Sequence, residues 1–164
     1  MPPIDRDQQL TPSLLDRLLD DEPGNQREAT KQRHQVLREM KQSVRRDLEN
    51  LLNTRWRCVS WPPDLDQLEI SLVNYGIPDF TGIRFAAANA QEELRAILEA
   101  VIRRFEPRFA QVRVELISNS DSLDRTLRFR IDAMLHADPV VEPVVFDTTL
   151  ETSTGDFEVT GGNR

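Results

Sequence analysis

At 164 residues and 18.9 kDa the chain has room for one domain, or one domain with an arm. Hydrophobic residues are 38% of it and charged residues 30%, with 6 Gly and 10 Pro, which excludes collagen-like, low-complexity and membrane-spanning classes. Net charge is -7, so nucleic acid and anionic cell wall are repelled unless a basic patch is segregated.

The charge is unevenly placed. Residues 1–29 hold seven acids against Arg6, Arg17 and Arg27, and residues 137–164 hold six against Arg164, which leaves 15 acids and 17 bases between them. The basic side chains are 19 Arg and 2 Lys, a bias toward forked pairing with carboxylates and so toward protein interfaces. No apolar run approaches the roughly 18 residues that cross a bilayer, and the polar start lacks the layout of a secretory signal. A cytoplasmic protein without membrane insertion is expected. Cys58 is the single cysteine, and with only His34 and His136 beside it there is no disulfide and no zinc set. No cofactor is expected.

Along the chain, Thr11-Pro12-Ser13 opens a short helix, with Thr11 as cap and Pro12 at the first helical position, and Pro23-Gly24 closes it. Leu14, Leu15, Leu18 and Leu19 form its apolar stripe. So short a helix is marginal alone, which requires the stripe to be buried on the chain's own core or in a partner's groove. Residues 28–55 carry Val36, Leu37, Met40, Val44, Leu48, Leu51 and Leu52 at spacings of three and four, a long amphipathic helix of about 40 Å. Its polar face mixes Arg and Lys with Glu39, Asp47 and Glu49, more a solvated or protein-binding face than a nucleic-acid footprint.

Pro62-Pro63 gives an extended connection and Asp64 a cap for a short helix over Leu65, Leu68, Leu72 and Val73, although Ile70 and Leu72 alternate as in a strand. Asn74 to Phe80 reads as a turn, with a positive φ at Gly76. Asn89 caps a third helix with Leu94, Ile97, Leu98, Val101, Ile102 and Phe105 on its buried face and Arg103 and Arg104 in its last turn. Glu106-Pro107-Arg108 ends it in a rigid corner carrying two opposite charges.

From there the pattern has period two. Val112, Val114 and Leu116 form one strand; Leu123, Leu127, Phe129, Ile131, Ala133 and Leu135 follow a turn at 119–122; a second pair comprises Val144–Leu150 and Phe157–Val159. The last strand is short, acidic and edge-like. The class is α+β, with N-terminal helices packed on a C-terminal antiparallel sheet: residues 1–27 an N-terminal docking arm, residues 28–164 a single domain.

No nucleophile with a positioned base and no phosphate-cradling glycine loop is present. Two carboxylates suffice for glycoside hydrolysis, so a peptidoglycan hydrolase with Glu106 as acid is the enzyme reading to carry. A general acid works protonated, whereas Arg108 two residues on favours a charged carboxylate; an ion pair that pins the loop is the better use of the two. Nucleic-acid binding through the Arg-rich helix ranks lowest.

Arg104-Phe105-Glu106-Pro107-Arg108-Phe109 resembles the Glu-Pro-Arg signature of the lysozyme-like baseplate wedge family, which includes TssE of the type VI secretion system and its phage-tail counterpart. Ser13–Leu18 looks like that family's N-terminal motif, Ser43–Arg55 like its central helix, Asn74–Asp79 like its turn, and Arg128–Ile131 and Pro143–Asp147 like its strands. The resemblance runs from residue 13 to residue 159. It implies a structural subunit, not an enzyme, held by the wedge proteins TssF and TssG with TssK in the wedge, in a cytoplasmic baseplate docked at the inner membrane complex. It also implies that the subunit carries the first ring of contractile sheath, built from TssB and TssC, and helps to initiate sheath assembly. Glu106, Pro107 and Arg108 are the implied sheath-attachment residues, and Leu14, Leu15, Leu18 and Leu19 the stripe expected to sit in a wedge-protein groove. The C-terminal edge strand would then accept a sheath arm by strand addition.

Overall fold

The computed structural model describes residues 10, 12–18, 31–57, 62, 64–80, 88–117, 126–137 and 140–162. Its elements are helices α1 (Leu14–Leu18), α2 (Arg33–Asn53) and α3 (Ala88–Phe105), followed by strands β1 (Phe109–Ile117), β2 (Thr126–Ala137), β3 (Val140–Glu151) and β4 (Asp156–Gly161). The class is α+β, as the hydrophobic periodicities require.

Helix α2 buries Val44, Leu48, Leu51 and Leu52, the middle and end of the stripe, while Val36, Leu37 and Met40 are half-buried. Its last carbonyls do not go unsatisfied: Thr54 N–H donates to Leu51 O at 3.3 Å, the Thr54 hydroxyl to Asn50 O at 2.7 Å, and Arg55 Nη1 to Leu52 O at 2.9 Å. Helix α3 buries Leu94, Leu98, Val101 and Ile102. It already includes Ala88 and Asn89, so Asn89 is not its cap.

The strands form one continuous antiparallel sheet in the order β1-β2-β3-β4, not two separate pairs. The turn at 119–122 and Leu123 lie outside the described residues. Period-two alternation sends Val112, Val114, Phe129, Ile131, Leu135, Val144, Phe146, Leu150, Phe157 and Val159 to one face. That face is covered by α3 over β1 and α2 over β4, and the opposite face is wet. Strand β3 starts at Val140 and runs through Pro143, earlier than the expected Val144. Pro143 is tolerated because β4 pairs only from Phe146 onward, with a last bond from Gly162 N–H to Val145 O at 2.9 Å. By the same parity the missing N–H of Pro143 points where no described strand follows.

Both outer edges of the sheet are held by helix side chains. On β4, the Asn53 amide donates to Phe157 O and accepts from Phe157 N–H, both at 2.8 Å, and Arg45 Nη1 donates to Val159 O at 3.1 Å. On β1, Arg95 reaches Val114 O at 3.2 Å and Glu99 accepts from Val114 N–H at 3.2 Å. The last strand is an edge, as expected, but its Phe157 N–H, Phe157 O and Val159 O already have partners.

The connection from α2 to α3 is helical, as expected, but as two 3-10 turns, Asp66–Ile70 and Leu72–Asn74. Ser71 divides them by local competition: its hydroxyl donates to Leu68 O at 2.9 Å and accepts from Val73 N–H at 3.3 Å. Gly76 has φ +111°, and a Cβ there would meet Thr54 O at 2.4 Å. That closeness comes from a parallel bridge in which Ile77 N–H donates to Thr54 O at 2.9 Å and Trp56 N–H to Ile77 O at 3.1 Å.

Replacing Asn53 with Ala should destabilise the domain by about 1–2 kcal/mol in chemical denaturation and speed hydrogen exchange of the Phe157 amide. Unchanged exchange at Phe157 would mean that the amide clasp does not hold the edge.

Candidate functional site: the corner between α3 and β1

Pro107 cannot continue α3, and the chain turns within four residues. Glu106 N–H still donates to Ile102 O at 2.9 Å, and Phe109 N–H donates back to Glu106 O at 3.2 Å. The result is a β-turn with Pro107 second and Arg108 third; no non-glycine residue among those described has a positive φ, which fits type I. Arg108 O accepts from His136 N–H at 2.8 Å, tying the turn to β2.

The charges do not project from this corner. Glu106 is 4% exposed, Arg108 half-buried, and Pro107 is the exposed member. Arg108 Nε donates to Glu106 Oε1 at 2.6 Å and Nη2 to Oε2, a forked pair that occupies both carboxylate oxygens. Nη2 also donates to Asp47 Oδ2 on α2 at 2.7 Å, and Nη1 to the Ser43 hydroxyl at 3.4 Å. Burial works against the Arg108 charge, but hydrogen bonds and attraction from Glu106 and Asp47 outweigh it and raise its pKa above the ordinary arginine value. The expected pairing of Glu106 with Arg108 is thus present, with Asp47 as a third member that sequence reading missed. Exchanging the two corner charges would set a carboxylate at position 108 against Asp47.

Ser43 extends this group to the N-terminal segment. Its hydroxyl donates to Asp16 Oδ1 at 2.7 Å, where Arg46 Nη2 also donates at 3.2 Å, and Ser13 Oγ donates to Asp16 Oδ2 at 2.6 Å. Burial opposes ionisation of Asp16, yet the bonds from Ser13, Ser43 and Arg46 prevail and hold its pKa below the usual 3.8. Tyr75 closes the other side, packed edge-on against Phe105 with ring centroids 5.3 Å apart. Its hydroxyl pKa is raised by burial, then by the negative charges of Asp47 and Glu106.

The leucine stripe is not brought to the corner. Helix α1 is five residues long and capped by Ser13, whose Oγ accepts from Asp16 N–H at 3.2 Å; Thr11 lies outside the described residues. Leu14, Leu15 and Leu18 are 54–74% exposed, so burial on the chain's own core, one of the two readings of the stripe, is corrected. Polar contacts of Asp16 hold α1 on α2 instead. Leu19, Pro23 and Gly24 lie outside the described residues.

A cleft of about 690 Å³ between α3 and β1 is lined by Glu92, Arg95, Glu99 and residues 112–116, but its charges pair with one another: Arg95 with Glu92 and Glu99 at 2.7 and 3.0 Å, Arg103 with Glu99 at 2.8 Å. Among the described residues no group of three or more His, Cys, Asp or Glu is placed to hold a metal ion. None of the helices described is long and apolar enough to cross a membrane.

Residues 38–140, a span that includes Ser43, Asp47 and the whole corner, match the family described as baseplate wedge protein gp25. No curated protein matches the chain.

The Asp16 contacts carry a pH signature. A carboxylate with a lowered folded pKa stabilises above its unfolded value of 3.8, and that stability is lost as pH falls through the folded value. Asp16→Asn should cost about 0.5–1.5 kcal/mol at neutral pH, and its denaturation curve should converge on the wild type in acid. A constant gap across that range would place the effect of Asp16 outside its ionisation.

Proposed function

This chain belongs to the baseplate wedge protein gp25 family, and on that premise we propose that it is a structural subunit of a type VI secretion baseplate that joins wedge proteins to the first ring of contractile sheath. A structural role in a baseplate, in company with other baseplate components, follows from the family itself. The finer assignment is to TssF and TssG, with TssK in the wedge, on one side and to the sheath proteins TssB and TssC on the other. The assembly works at the cytoplasmic face, in a baseplate docked at the inner membrane complex.

The observation that carries this reading is the Glu106–Pro107–Arg108 corner. Both charged side chains are spent on internal pairing, with Asp47 on α2 as the third member. Such a pair fixes the angle at which β1, and through it the whole sheet, leaves α3. A subunit that seeds a ring needs one invariant orientation, and a forked ion pair with a turn of fixed φ supplies it. Pro107, exposed at the turn, is the part of the motif offered to a partner.

A sheath arm that adds by strand pairing would use Val140–Val144 of β3, the stretch beyond the reach of β4, rather than the clasped edge of β4. The exposed Leu14, Leu15 and Leu18 would enter a wedge-protein groove, with Leu19 completing the stripe. No catalysis is assigned. A glycoside hydrolase acting through Glu106 would need that carboxyl open to a saccharide, and it is buried with both oxygens bonded to Arg108.

Affinity capture from native-cell lysate tests this. The wild-type protein should bring down TssF, TssG, TssB and TssC; Glu106→Ala and Arg108→Ala proteins, first shown folded by circular dichroism, should keep the wedge proteins and lose the sheath. Absence of every tail component, together with peptidoglycan hydrolysis that Glu106→Ala abolishes, would replace the assembly reading with the enzymatic one.

A further inference from the structure

Between α2 and α3 the chain winds through a self-contained knob. Main-chain N–H groups of Leu65, Leu68, Ser71, Asn74 and Tyr75 donate to carbonyls three residues back at 3.0–3.3 Å. Asn74, 9% exposed, donates its side-chain amide to Glu69 O at 3.0 Å, and the segment is anchored beyond by Tyr75 on Phe105 and by fully buried Ile77. These bonds brace the segment from within.

Yet residues 65–73 hold four large apolar side chains in water: Leu65, Ile70, Leu72 and Val73 are 46%, 64%, 87% and 44% exposed. A connection that only had to span the gap would be polar, and an unbraced apolar one would fold onto the core. Internal hydrogen bonds that keep apolar groups outward are the arrangement of a pre-organised contact surface.

Charge says what kind of partner fits. Residues 58–80 contain no Lys or Arg. Asp64, Asp66 and Glu69 are exposed among the apolar side chains, and none is paired with a cation among the described residues. We propose that this acidic, apolar knob docks an amphipathic helix of a partner protein whose apolar stripe is flanked by Lys and Arg. A second copy of this chain would oppose the same carboxylates across a two-fold interface, and an anionic lipid surface would repel them.

The inference stands apart from the proposed role, since it rests on neither the corner nor the strand edge. It is tested on the full chain, isotope-labelled for amide NMR, with two synthetic helices of about 18 residues, or five turns. Both carry the same leucine stripe; one has Lys at the polar positions and the other Glu. The Lys helix should shift the amides of residues 64–74 and bind more weakly at high salt, and the Glu helix should not bind. Combined Ile70→Ser and Leu72→Ser should weaken Lys-helix binding about tenfold or more, while Glu93→Gln, at an exposed acid on α3, leaves it unchanged. Shifts centred elsewhere, equal binding by the double variant, or self-association that the double variant abolishes would each overturn the proposal. Both substitutions remove exposed apolar surface, so an unchanged amide spectrum outside 64–74 certifies the fold.

Discussion

A carboxylate that is 4% exposed must be answered by a cation, and the cation at Glu106 comes from two residues away across a proline turn. Because Arg108 also reaches Asp47, the pair is tied to the middle of α2, and three elements are fixed relative to one another at one point: the end of α3, the start of β1 and the face of α2. Ser43 and Arg46 carry the connection on to Asp16, so even the short α1 is oriented by bonds that begin at the corner. Five ionisable side chains share this group, three acids and two arginines. The excess of arginine over lysine in the composition has its use here, since only a guanidinium can hold Glu106 with two parallel bonds and Asp47 with another.

The helices do more than cover the sheet. Asn53 and Arg45 on α2 and Arg95 and Glu99 on α3 act as main-chain surrogates, each bonding the outward N–H or C=O of an edge strand. A four-stranded antiparallel sheet otherwise presents two open edges, each a template for unwanted pairing. Here the outer strands are closed where they lie against helices, and among the described residues the start of β3, up to Val144, has no strand paired on the β4 side. Any partner that adds a strand is thereby limited in place and in register.

The parts of this arrangement that could be read in the sequence are those encoded locally. Apolar spacing of three and four marked α2 and α3, alternation marked the strands, and Gly76 marked a positive φ, because each signal lies within one element. The pairing of Glu106 with Arg108 was legible for the same reason. Asp47 was not: it is 61 residues from Arg108, and on the helix surface it looks like one more solvated acid between Arg45, Arg46 and Glu49. The signal for it in the sequence is that Ser43 and Asp47 stand four apart on one face beside the buried Val44 and Leu48. The edge clasps were hidden because period two tells which face a side chain takes but not which main-chain groups lack a partner. The structure holds apolar side chains outward in α1, where burial on the chain's own core was one of two readings, and at Leu65, Ile70, Leu72 and Val73, where the pattern indicated a short helix without saying what it faces. A stripe on a segment too short to fold alone indicates that something covers it, without indicating that the cover lies in the same chain.

The dependence of the whole on one buried ion pair makes its loss costlier than that of a surface contact. Removing Arg108 leaves Glu106 buried without its cation, so Arg108→Ala should cost about 3–5 kcal/mol; neutralising the stranded carboxylate as well, in the Arg108→Ala, Glu106→Gln double variant, should return about 1 kcal/mol or more of that loss. The direct measurement is the unfolding free energy of wild type, both single variants and the double variant by chemical denaturation at neutral pH. The double variant should be more stable than Arg108→Ala alone. Costs that add within about 0.5 kcal/mol would show that the two side chains do not depend on each other, and the corner would have to be explained by the proline turn alone.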